Sequence, residues 1–163
     1  MADADTQAVL DKRFLAGEIT TLYIPEILDG VVELKSRKDK ITALRNNASY
    51  ALMTFFKHVF DRSISFQLTG PEVRDVEFKG NPDMVDFDLA DATLNQRYQI
   101  FNIFTVNNTP IDKQIKVLEA WFTTFHPQET ELVCQMFERK LKYKGITEAL
   151  IREAYPSLME PKE

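Results

Sequence analysis

The spacing of apolar side chains constrains this chain most. Leu52, Phe55, Phe56, Val59 and Phe60 recur at intervals of three and four residues, which puts them on one face of an α-helix and does not fit the alternation of a strand. The same period appears at Ile24, Ile27, Leu28 and Val31, with Pro25 suited to a first helical turn. Ile41 and Leu44 follow Ser36, whose hydroxyl can cap a helix that carries Asp39 three residues on and stops near Asn46 and Asn47. Ile111, Ile115, Leu118, Phe122 and Phe125 mark another helix, opening on Pro110 and Asp112 and ending at His126-Pro127. Leu132, Val133, Met136 and Phe137 carry the next, closed by Gly145. Thr147 can cap a last helix through Leu150, Ile151 and Ala154.

Two stretches break this pattern. "SISFQL" alternates Ile64, Phe66 and Leu68 like a short strand or extended edge, and "TGPE" then turns the chain. From 69 to 93 the sequence reads as a long acidic loop, with Glu72, Asp75, Glu77, Asp83, Asp86, Asp88 and Asp91 against Arg74 and Lys79. Between Leu94 and Thr105 apolar residues fall on more than one face, which predicts a central helix packed all round. With 44% apolar residues in a chain of 163, one substantial core is affordable. The expected fold is all-α: one compact multi-helix domain over 1–163, with about seven or eight helices, an irregular acidic insertion and a tail at 160–163.

Several function classes drop out. No apolar run approaches the roughly 18 residues that cross a bilayer, and "MADADTQAVLDKRFL" is too charged for a secretory segment, so no membrane role and a cytoplasmic location are expected. Cys134 is the only cysteine and sits among Leu132, Val133 and Met136, the setting of a buried thiol. His58 and His126 have no cysteine pair beside them, and "DMVDFDLAD" lacks the turn glycine and closing glutamate of an EF-hand. No metal or cofactor is expected. Without a Gly-rich phosphate loop, a G-x-S-x-G elbow or an H-E-x-x-H helix, the chain reads as non-enzymatic.

The net charge of −5 opposes nucleic acid when taken whole, but its distribution is uneven. Lys35, Arg37, Lys38 and Lys40 surround one helix start, and Lys38 and Arg45, seven apart, share a side of that helix. Arg139, Lys140, Lys142 and Lys144 precede Gly145 and Thr147. Cations beside unpaired helix amides attract phosphate, Gly145 permits close backbone approach, and Thr147 can donate to a phosphate oxygen. The candidate DNA-binding residues are therefore Lys140, Lys142, Lys144, Gly145 and Thr147, with Lys38 and Arg45. A different class of partner suits the acidic segment: Asp83, Asp86, Phe87, Asp88 and Asp91 could dock a basic protein surface.

These residues also carry a resemblance. "GITEALIREAYPSL" (Gly145 to Leu158) resembles the close of the N-terminal DNA-binding domain of T-even-type phage ATP-dependent DNA ligases: glycine, a capping hydroxyl two residues on, an apolar helix, then aromatic-Pro-x-Leu. "DKITALRNNASYALMTFFKHVFDRSISFQL" is similar to that domain's early helices, and the likeness spans Lys35 to Leu68 and Lys113 to Met159. On this likeness the chain is identified as a member of a group of short T-even-like phage proteins. The resemblance implies an all-helical domain that grips duplex or nicked DNA through phosphates in replication, recombination or repair within the host bacterial cytoplasm. The chain departs from the ligases in the spacing of its basic residues before Gly145, in Ser157 where glycine is usual, and in the acidic insertion. A ligase also needs lysine in K-x-D-G, and Asp29-Gly30 has Ile27 in that position. The alternative partner is a phage replisome protein or host polymerase, held by an adaptor that keeps only the scaffold.

Overall fold

Hydroxyls set where three of the helices begin. Ser36 Oγ accepts from Asp39 N at 3.0 Å, Ser49 Oγ from Leu52 N at 3.1 Å and Thr147 Oγ1 from Leu150 N at 3.2 Å, each satisfying an amide with no acceptor inside its helix. The computed structural model describes residues 12–19, 22–77, 92–105 and 109–159. A helical segment at 12–16 is followed by α1 (Ile24–Glu33), α2 (Arg37–Asn46), α3 (Tyr50–Phe60), α4 (Gly70–Glu77), α5 (Leu94–Arg97), a 3-10 helix (Tyr98–Phe104), α6 (Ile111–Thr124), α7 (Pro127–Glu138) and α8 (Glu148–Ala154). The fold is all-α. Among the described residues the extended stretch after α3 forms a single antiparallel bridge, Phe66 to Thr105.

The central helix is α7, not the segment from Leu94 to Thr105. Its residues from Leu132 to Phe137 are all buried, because α1, α3, α4 and α6 pack around it. The 94–105 segment instead forms one α turn and then a 3-10 helix. Tyr98, Phe101 and Phe104 recur every three residues, the period that a 3-10 helix lines up on one side. Phe101 and Phe104 meet Trp121 edge-on at 5.9 and 5.3 Å, and Phe104 meets Phe137 at 5.3 Å.

The acidic segment is helical at its start. Thr69 and Glu72 form a reciprocal capping box, with Thr69 N donating to Glu72 Oε1 at 3.1 Å and Glu72 N to Thr69 Oγ1 at 3.3 Å. On α4, Val73 and Val76 are buried. Arg74 bridges to both Glu131 and Glu138 of α7. These contacts turn the first third of the expected loop into part of the core. Asp83, Asp86, Phe87, Asp88 and Asp91 lie outside the described residues.

Two helix ends also differ from expectation. His126 starts a helix: its Nδ1 accepts from Gln128 N at 3.0 Å, capping α7. That helix stops at Glu138, well before Gly145, and Arg139 takes the left-handed conformation at φ 60°.

Among the described residues, one fully buried carboxylate forms no ion pair. Glu129, in the first turn of α7, is fully buried and accepts from Leu94 N at 3.2 and 3.3 Å, tying α5 to α7. Burial raises its pKa from an ordinary 4.5 to about 7, and the nearby charge of Glu26 pushes the same way. Between those values the folded chain holds a proton that the unfolded chain has released, so stability falls as pH rises. The loss is about 3 kcal/mol at most across that window. Thermal unfolding should show a Tm that drops from pH 5 to pH 8, and Glu129→Gln, which keeps an acceptor for Leu94, should flatten the curve. Equal slopes for the two proteins would contradict this.

Candidate nucleic-acid interface

Gln135 fixes the lysine-bearing loop that follows α7. This buried side chain accepts Lys142 N at 3.0 Å through Oε1, while its main-chain carbonyl accepts Lys140 N at 3.1 Å. The loop backbone is thereby tied to the central helix, and Lys140, Lys142 and Lys144 extend from it exposed. Gly145 closes the loop at φ 86°, a conformation that glycine adopts without strain. A Cβ built there would stand 3.3 Å from Lys40 Cε. Lys40 itself comes from the first turns of α2 and donates through Nζ to Leu34 O. The two basic segments, about a hundred residues apart in sequence, therefore meet at Lys40 and Gly145.

The arginines and lysines around this junction are used differently. Arg37 pairs with Glu153 at 2.8 Å, Arg152 with Glu148 at 3.0 Å, and Arg74 with Glu131 and Glu138. Of the carboxylates near the loop, Glu131, Glu138, Glu148 and Glu153 are held by guanidinium groups, while Asp29, whose charge acts on Tyr143, forms no ion pair among the described residues. Lys38, Lys140, Lys142 and Lys144 form no ion pair among the described residues, although the charge of Lys142 still helps to lower the Glu131 carboxyl, after its bond to Arg74. Tyr143, half-buried between the lysines, has its phenol pushed up to about 12, first by burial and then by Asp29 and Glu131. It stays protonated as a donor.

Two expected contacts have other duties. Arg45 is exposed but donates Nε to Ala154 O at 3.0 Å and Nη2 to Glu153 O at 2.9 Å, capping the C-terminus of α8. It is a structural clamp between α2 and α8. Thr147 is exposed and caps α8, a helix of 7 residues, so its oxygen serves Leu150 N and its proton stays available to an acceptor. Arg139, in the second basic cluster, is also committed: Nη1 donates to His58 O and Asp61 O, both at 2.9 Å, and the guanidinium lies 4.9 Å over the Phe66 ring. The role of Gln135 is not legible from sequence, where an amide between Cys134 and Met136 is its one trace.

Among the described residues, no three His, Cys, Asp or Glu side chains are grouped to hold a metal ion. Cys134 is buried in α7. Burial lowers the His58 pKa, while its Nδ1 bond to Thr54 O at 2.8 Å works the other way. What the junction offers chemically is an exposed set of ammonium groups on an anchored backbone, suited to an extended anion.

If Arg45 is a clamp, Arg45→Ala should cost about 1–2 kcal/mol in urea unfolding, the loss of two hydrogen bonds from a charged donor. Gln135→Ala should cost a similar amount, about 1–3 kcal/mol, because it strands the Lys142 amide. An Arg45→Ala protein as stable as wild type would show that the clamp contributes nothing. No protein-family model matches the chain, and no curated protein matches its sequence.

Proposed function

We propose that this chain binds duplex or nicked DNA through its phosphates, as a phage accessory protein in replication, recombination or repair without chemistry of its own. The observation that carries this reading is the junction of the two basic segments at Lys40 and Gly145, with Lys38, Lys140, Lys142 and Lys144 exposed around it and outside any ion pair among the described residues. Phosphate groups spaced along a strand suit several ammonium groups on a fixed loop, and such contacts position a duplex without reading its bases. The resemblance of the Gly145 to Leu158 segment to a ligase DNA-binding domain favours DNA over other polyanions. The proposed footprint is Lys140, Lys142, Lys144, Gly145, Thr147 and Lys38, with Arg45 holding the joint between α2 and α8 beside it.

Neutralising about three or four phosphates gives a plot of log affinity against log salt with a slope of roughly −3 to −4. Removing three of the ammonium groups by Lys140→Ala, Lys142→Ala and Lys144→Ala together should make that slope shallower by roughly 2–3. Fluorescence anisotropy on labelled blunt and nicked duplexes measures both quantities. Absence of binding to either duplex at micromolar protein and low salt would defeat the proposal.

A further inference from the structure

Both ends of the lysine loop border one cleft. Arg139 at its start and Glu148 just past its end line an open cavity of about 470 Å³, inside the range of roughly 300–1,000 Å³ that small-ligand sites occupy. Phe60 and Phe66 contribute aromatic surface to it, with the buried Val59 and Phe137 behind them. Arg62 and Ser65, both exposed in the segment after α3, also line it. The chain segment that carries the lysines thus starts at the cleft and returns to it.

Arg139 is held ready for an anion. Of the five N–H groups of a guanidinium, two from Nη1 are given to the carbonyls of His58 and Asp61. The remaining three, on Nε and Nη2, have no hydrogen-bond partner among the described residues. Stacking over Phe66 and anchoring at Nη1 fix the plane of the group, so its other edge meets a phosphate or carboxylate with little further loss of side-chain freedom. The Glu148 carboxylate in the same lining is held by Arg152 at 3.0 Å.

We propose that this cleft binds an unpaired nucleobase together with its phosphate. The base lies against the Phe60 ring, because Arg139 and Phe137 already cover Phe66; such stacking does not depend on base identity, and the phosphate meets the outer edge of Arg139 and Arg62. A base inside a duplex is paired and stacked on both faces, so the ligand is a nucleotide at a strand end or gap, or a free mononucleotide. The strand-end form rests on the DNA-binding function proposed above and makes the protein a reader of interrupted duplexes.

The test compares a blunt duplex with the same duplex carrying a short, 5′-phosphorylated single-stranded tail, by anisotropy at one salt concentration on the full chain. Deoxyadenosine monophosphate is titrated separately while amide shifts of Ile64, Ser65 and Phe66 are followed. The tail should tighten binding roughly five- to a hundredfold. Ser65→Trp, which fills the cleft, should abolish that gain and leave blunt-duplex affinity unchanged. Arg62→Ala, at an exposed turn residue, should diminish it and covers the case in which the bulkier variant does not fold. Saturable mononucleotide shifts without a tail preference assign the cleft to free nucleotide. If no DNA binds, the proposed function fails, and the mononucleotide titration alone decides the cleft. Equal affinities for blunt and tailed duplexes, with no mononucleotide shifts, would overturn the inference. So would occupation by an acidic aromatic peptide with no response to nucleotide.

Discussion

The joint between α2 and α8 holds the candidate interface in register. Tyr155, at the end of α8, is buried and donates its phenol to Leu44 O in α2, and its ring lies 6.2 Å from that of Phe56. Arg45 caps α8 from the α2 side, and Arg37 pairs with Glu153. A buried hydroxyl or carbonyl without its partner costs about 1–3 kcal/mol, which favours one arrangement of the two helices over slid alternatives. The start of α2 and the approach to α8 are then fixed relative to one another, and Lys40 can pack on Gly145. The Tyr155-Pro156 segment thus has a packing role.

The division of labour between the two basic residue types follows from their hydration and geometry. Guanidinium is planar, weakly hydrated and rich in donors, so it can satisfy two carbonyls or two carboxylates at once, from a partly buried position in Arg139 and Arg74 and from the surface in Arg45. Ammonium is strongly hydrated and keeps to the solvent. Because arginines hold Glu131, Glu138, Glu148 and Glu153, an acidic chain can still present positive charge locally. Distribution, not the net sum, governs what such a surface attracts.

Much of the fold was legible because helix signals are local. The caps at Ser36 and Thr147 and the stripes of α1 and α3 need only neighbours three or four residues away. The 70–77 helix was missed for the opposite reason: its charged sequence looks like a loop until Arg74 finds Glu131, 57 residues away. Thr69-Gly-Pro-Glu72 did contain a readable capping box. The three-residue spacing of Tyr98, Phe101 and Phe104 is also present in the sequence, but over so short a run it does not separate from an α-helical period. At the site, exposure of the lysines followed from composition. The duties of Arg45 and Arg139 did not, because their acceptors are main-chain carbonyls that carry no sequence signal.

The central claim is spatial: the first turns of α2 and the 139–147 loop form one surface for a phosphate backbone. Backbone amide shifts of isotopically labelled protein, titrated with blunt duplex, test this directly. The largest changes should fall together at residues 36–40 and 140–147, with the core amides of α7 little affected. Saturable binding whose shifts lie elsewhere, or in only one of the two segments, would contradict it.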